Sequence, residues 1–149
     1  MEYSVDELNI LGDACAAIFL LMANSDGRMS TAEREVFLRD HVRAILASQL
    51  ISSPREQAVM EIVLGEYNSS ENLRNMETPP PVESLRTLRR AASLISHKED
   101  DRDLKKYRVA MLSLAKNIAH ASSGFLGLGP SMSAKEEQML AQIKAALSP

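Results

Sequence analysis

The sequence predicts an all-α protein, a compact bundle of about six helices. Aromatic residues make up only 4% of the chain, Trp is absent and Met occurs 8 times, a composition that favours helices over strands. Four Ser-x-x-Glu motifs mark helix starts, and each precedes apolar residues spaced three and four apart. With 149 residues, 45% of them hydrophobic, the chain can build one core, so we expect a single domain covering residues 1–149.

The first half, about residues 4–67, is predicted to hold three helices. The first follows the Ser4/Glu7 motif, and one face of it should be buried through Leu8, Leu11, Cys15, Ile18 and Met22. The second, from about Thr31 to Ala47, follows Ser30/Glu33 and should bury Leu38, Val42 and Ile45. The third follows Ser53/Glu56, begins at Pro54 and ends near Tyr67, with an inner face of Val59, Ile62 or Val63, and Tyr67.

A polar linker, residues 68–81, ends in three prolines and separates this half from the second, about residues 82–147. The fourth helix should bury Leu85, Leu88, Ala92 and Ile95, and the fifth should run unbroken from Leu104 to Ala121. Glycines and a proline between Gly124 and Pro130 end it. The last helix follows Ser133/Glu136 and should bury Leu140, Ile143 and Leu147.

A Met-Ser-x-x-Glu pattern occurs twice, at Met29–Glu33 and at Met132–Glu136. Each copy follows an apolar helix and a turn that contains glycine: Asn24-Ser25-Asp26-Gly27 in the first and Ala121-Ser122-Ser123-Gly124 in the second. The second copy lacks the aspartate. The repeat predicts a degenerate internal duplication, in which two helix pairs superpose.

These motifs resemble the TerB-like family of tellurite-resistance and stress proteins, whose layout is a helix, Ala-x-x-Asp-Gly-x-Met-Ser-x-x-Glu, a helix, and a second, often glycine-rich copy. The resemblance implies a helical bundle with approximate internal two-fold symmetry. It also implies a non-catalytic role in stress or tellurite resistance, in which acidic residues of the motifs hold a divalent metal. Ser123 stands where a second aspartate is expected, which argues against a symmetric two-metal site.

The candidate metal ligands are Asp26 and Glu33, with Asn24 and Glu136 as helpers if the two halves bring their motifs together. Asp26-Gly27 followed by Glu33 resembles the second half of an EF-hand loop, although Met22 occupies the position of its first carboxylate. Oxygen ligands suit Ca²⁺, Mg²⁺ or Mn²⁺. The alternative interpretation is structural: Glu33 and Glu136 cap their helices, and Asp26 satisfies its own turn.

Enzymatic chemistry is not expected from this sequence. Cys15 lies on the buried face of the first helix, which predicts a packed and unreactive thiol. The three histidines, at positions 41, 97 and 120, show no metal-ligand spacing, and the chain has neither a G-x-S-x-G motif nor a phosphate loop. The glycine-rich segment 124–129 follows a helix rather than the strand that a dinucleotide site requires.

The charge and hydropathy of the chain also indicate which classes of partner it can bind. A net charge of −3 argues against nucleic acid. The apolar stretch Ala14–Ala23 is too short to span a bilayer, and with no signal peptide and a single cysteine we expect a cytoplasmic protein without membrane contact. Basic residues alternate with acidic ones on the fourth and fifth helices, which predicts a charge-paired, solvated surface or a face that docks a protein partner: Arg86, Arg89, Arg90, Arg102, Lys105, Lys106 and Arg108. The functional alternative to metal binding is therefore a helical interaction module.

Overall fold

The computed structural model describes residues 3–23, 40, 43–44, 48–51, 53–65, 79–123 and 133–148, without the side chains of 63–65 and 121–123. Within these ranges the regular structure is entirely helical, which confirms the all-α prediction. The helices are α1 (Val5–Ala23), α2 (Pro54–Gly65), α3 (Pro81–Lys98), α4 (Asp101–Ser123) and α5 (Ala134–Ala146). The additional helix expected from Thr31 to Ala47 lies outside the described residues, apart from Asp40, Arg43 and Ala44, which have helical backbone.

Helix α1 is the centre of the fold and contacts each of the other four helices. Its predicted inner face is buried throughout, from Leu8 to Met22. The burial goes further than that prediction, because every residue from Ala14 to Ala23 is buried. A helix that is apolar on all sides must be covered on all sides, so the second half of α1 is enclosed rather than packed on one face.

Helices α3 and α4 form a hairpin with a two-residue connection. Glu99 ends α3 with an extended backbone, while its N–H donates to the Ile95 carbonyl at 2.8 Å. Asp100 then begins α4, because its Oδ1 accepts the Asp103 N–H at 2.9 Å. Helix α4 includes the predicted span from Leu104 to Ala121 without a break. Helix α5 packs against α1, α3 and α4.

In helix α2, where the sequence leaves Ile62 and Val63 as alternatives for the inner face, the structure excludes Ile62. Ile62 is 78% exposed, whereas Met60 is 1% and Glu56 5% exposed. The face of α2 that meets α1 therefore includes Glu56 and Met60, a buried carboxylate that an apolar pattern cannot indicate. Val59 is partly buried as expected, and Val63 and Tyr67 lie outside the described side chains.

The boundary between the halves and the duplication rest mostly on residues outside the described ranges. Helix α3 begins at Pro81, the last residue of the predicted linker, where proline loses only an N–H that has no helical partner. Residues 24–27 and 124–130, the two turns that should superpose, are not among the described residues, so the duplication stays a prediction. None of the described helices combines the length and the apolar character needed to cross a membrane.

Candidate metal centre

The start of α5 contains the one predicted metal ligand whose geometry the structure defines, Glu136. Ser133 precedes the helix with an extended backbone, and its Oγ accepts the Glu136 N–H at 3.1 Å. In return, Oε1 of Glu136 accepts the Ser133 N–H at 3.0 Å. This reciprocal pair is the capping box that the sequence predicts.

The second oxygen of the same carboxylate is in a different situation. Glu136 is only 4% exposed, and its Oε2 is buried without a hydrogen-bond partner among the described residues. Burying a carboxylate oxygen without a donor or a cation is costly, which makes such an atom an exception among native polar groups. Oε1 therefore explains why a glutamate stands at this position, and Oε2 shows that capping does not use the whole carboxylate.

At the other two described helix starts, Oε2 of the capping glutamate has a hydrogen-bond donor. Oε2 of Glu7 accepts the Ser4 N–H at 2.8 Å and forms an ion pair with Lys98, and these contacts, Lys98 first, lower the pKa of Glu7. Oε2 of Glu56 accepts the Tyr3 N–H at 2.9 Å. Among the three described capping glutamates, Glu136 alone has a buried oxygen without a partner.

The other predicted ligands, Asn24, Asp26 and Glu33, lie outside the described residues. Among the residues that are described, no group of three or more His, Cys, Asp or Glu side chains is arranged to hold a metal ion. A complete site at Glu136 therefore requires ligands from the first motif. That the two motifs meet there stays a prediction.

A polar cluster around Tyr3 was not predicted from the sequence. The Tyr3 hydroxyl donates to Oε1 of Glu99 at 2.9 Å, and Nζ of Lys98 lies 4.7 Å from the centre of its ring. Through these contacts and the Glu56 bond, the segment before α1 is tied to the start of α2 and the end of α3. Burial, and then the hydrogen bond to Glu99, raise the pKa of Tyr3, so its phenol stays protonated as a donor.

One sequence signal points to Tyr3. It precedes the capping residue Ser4, and Leu8 stands at the fourth helical position, the arrangement of a hydrophobic staple. Both side chains are buried, Tyr3 at 4% and Leu8 at 1% exposure. The staple predicts that Tyr3 packs, whereas its carboxylate partners come from distant parts of the chain.

The buried groups of the core are not prepared for nucleophilic chemistry. Cys15 is fully buried, as predicted, and burial raises the pKa of its thiol to about 12. Tyr107 is equally buried, and burial raises its pKa well above the ordinary value. His97 is exposed at the end of α3, with Nδ1 2.7 Å from the Ser93 carbonyl oxygen, and His41 lies outside the described residues.

Comparison of the chain with models of protein families, with characterised proteins and with solved structures found no match. Its function has to be inferred from its own residues and geometry.

Proposed function

We propose that this chain is a non-catalytic, TerB-like protein of the stress-response or tellurite-resistance type, which acts in the cytoplasm and binds one divalent cation. Its ligands are Asp26 and Glu33, with Asn24 and Glu136 completing the protein part of the site. The observation that supports this proposal is Oε2 of Glu136, a buried carboxylate oxygen that has no hydrogen-bond partner in the part of the chain that the structure describes. A cation at that point supplies the missing counter-charge.

The chemistry of the donors decides which ion and how tightly it binds. Carboxylate and amide oxygens suit Ca²⁺, Mg²⁺ or Mn²⁺. Because Oε1 of Glu136 is engaged by the Ser133 N–H, this residue binds an ion through Oε2 alone. Hard cations take about six to eight oxygens, so several positions are left to water and the affinity should be weak.

The test is thermal unfolding and calorimetric titration of the full chain with each of the three ions. At about a tenfold excess of ion over Kd, binding adds about 1.4 kcal/mol and raises Tm by about 3–6 °C. Glu136→Gln keeps an oxygen for the capping bond and removes the charge, so the ion response should disappear. Glu137→Gln is the matched control, because Glu137 is the exposed next residue of α5 and loses the same charge. Asp26→Asn and Glu33→Gln should each abolish binding.

The second candidate is a helical protein interaction module whose motif is purely structural. The bond between Oε1 of Glu136 and the Ser133 N–H favours it, because a capping role alone accounts for a glutamate there. This candidate predicts that no ion moves the wild-type midpoint, a result that would rule out the metal proposal. If Asp26→Asn abolishes the response and Glu136→Gln keeps it, the ion is held by the first motif without Glu136.

A further inference from the structure

A cavity of about 470 Å³ lies between α4 and the segment that contains Asp40, Arg43 and Ala44. This volume is within the range of sites that bind small molecules. The residues that α4 contributes recur every three or four positions from Arg102 to Asn117, so one face of the helix forms a wall of the cavity.

The character of this face changes along α4. Arg102, Lys105 and Lys106 line the cavity near the start of the helix, and Val109, Ala110 and Leu114 line it one to three turns later. At 1.5 Å per residue, the first basic and first apolar positions are about 10 Å apart along the axis. Arg43, three residues after Asp40, also lines the cavity. The cavity thus has a cationic part and an apolar part, the two features that recognise an amphipathic anion.

The cations are largely unpaired. Within the described part of the chain, the side chains of Arg43, Arg102 and Lys105 have no hydrogen-bond or ion-pair partner. Lys106 contacts Gln49 at 3.1 Å and Asp103 at 3.9 Å. The sequence predicts a charge-paired surface here, yet among these basic residues of α4 only Lys106 has an acidic partner in the described ranges.

The position of Asp40 and the net charge of the chain decide which anions suit the cavity. Asp40 also lines it, but the Asn117 amide donates to its carboxylate at 3.3 Å, which places this acid beside the last α4 position of the cavity rather than beside Arg102. The whole chain has a net charge of −3, so the four cations are a local concentration and not part of a general basic excess. A long polyanion such as nucleic acid is therefore a poor fit.

We propose that this cavity binds a small amphipathic anion, whose apolar chain lies on Val109, Ala110 and Leu114 and whose single carboxylate or phosphate group contacts Arg102 and Lys105. Guanidinium groups bind both head groups through paired hydrogen bonds, and the apolar wall excludes water from the chain. This site shares no residue with the metal site, so either proposal can fail alone.

Binding is tested on the full chain by calorimetry with dodecanoate and dodecyl phosphate below their micelle concentrations, which separates the two head groups. At least one should bind, and the affinity should fall as salt rises from about 50 to 300 mM, because exposed charges are screened. Dodecanol, acetate, inorganic phosphate and hexaglutamate should each bind at least about tenfold more weakly. Equal binding of dodecanol, of inorganic phosphate or of the acidic peptide would overturn the proposal, as would no binding of either dodecyl anion.

Variants locate the site. Arg102→Gln combined with Lys105→Gln should weaken binding about fivefold to tenfold, because two exposed ion pairs are lost. Arg89→Gln combined with Arg90→Gln is the matched control, since both arginines are exposed on α3, away from the cavity, and the charge lost is the same. Ser113→Phe, at an exposed position that lines the cavity, should occupy part of it and weaken binding with an unchanged Tm. Equal weakening in the control pair, or full binding by a folded Ser113→Phe, would refute the location.

Discussion

The starts of α1 and α5 carry the same Ser-x-x-Glu motif, yet their glutamates have opposite environments. The Glu7 side chain is 26% exposed, and its Oε2 is shared between the Ser4 N–H and Lys98, 91 residues away. Glu136 is 4% exposed, and its Oε2 has no partner. The motif determines the local capping bond in both places. What else the carboxylate contacts is determined by which distant residues the fold brings to it.

Glu56 shows a third outcome, since it is as buried as Glu136 and yet supplied with a donor. Its Oε2 accepts the Tyr3 N–H, and its own N–H donates to Oγ of Ser53 at 3.1 Å. Burial alone therefore does not make a capping glutamate unusual. Among the described residues, the absence of a donor at Oε2 distinguishes Glu136 from Glu56.

The largest effect is expected for Glu56→Ala. This change leaves the buried Tyr3 N–H without its charged acceptor, so the free energy of unfolding should fall by about 2–4 kcal/mol. Urea unfolding at neutral pH measures it, and Glu61→Ala, at an exposed position of the same helix, is the control. A loss below about 1 kcal/mol would show that the Tyr3 contact contributes little.

A smaller effect is expected for Tyr3→Phe, about 1–1.5 kcal/mol at neutral pH, because the bond to Glu99 is lost. Tyr107→Phe is the control at neutral pH, since the Tyr107 hydroxyl is buried without a partner and its removal should cost almost nothing. The pKa of Tyr3 is raised above 10.0 in the folded state, so its contribution is fully present below pH 10 and is lost as the pH rises beyond it. Between about pH 9 and 11, the free energy of unfolding should decrease less steeply for Tyr3→Phe than for wild type. An equal decrease in both proteins would contradict this prediction.

How much the sequence predicts depends on the range of the interaction. The capping boxes at Ser4 and Ser133 and the burial of Cys15 follow from residues within a few positions, and the structure confirms them. Of the alternatives Ile62 and Val63, Ile62 is exposed, and the buried face of α2 also includes Glu56, whose donor lies 53 residues away. The cavity beside α4 was not predictable from spacing, because Asp40, Arg43 and Ala44, which also line it, come from a distant part of the chain.

The contrast between Glu136 and Glu56 can be measured by replacing each with Gln and comparing the free energies of unfolding in buffer that contains a chelator. Glu136→Gln removes the charge of a buried carboxylate whose Oε2 has no donor among the described residues, and it keeps the capping acceptor, so stability should stay equal or rise by up to about 1 kcal/mol. Glu56→Gln weakens a charge-assisted bond and should cost about 1 kcal/mol. If both variants lose stability equally, the missing donor at Oε2 of Glu136 does not destabilise the ion-free protein. The main support for the metal proposal is then removed.

The smallest effect concerns acid and the pair of Glu7 with Lys98. The pKa of Glu7 is lowered from 4.5, first by the hydrogen bond with Lys98, so this contribution is present above about pH 4.5 and is lost as the pH falls through the folded value. Because the pair is partly exposed and screened, its contribution to stability should be less than about 1 kcal/mol and should shrink in high salt.

Lys98→Met removes this ion pair. Lys105→Met is the control, at an exposed lysine without an acidic partner among the described residues. Lys98 also stacks on the Tyr3 ring, a contact that persists in acid, so only the change in stability between about pH 6 and 3 reports on Glu7. Wild type and Lys105→Met should lose more stability over that interval than Lys98→Met. Identical losses would mean that the contact with Lys98 contributes nothing to stability beyond the capping bond of Glu7.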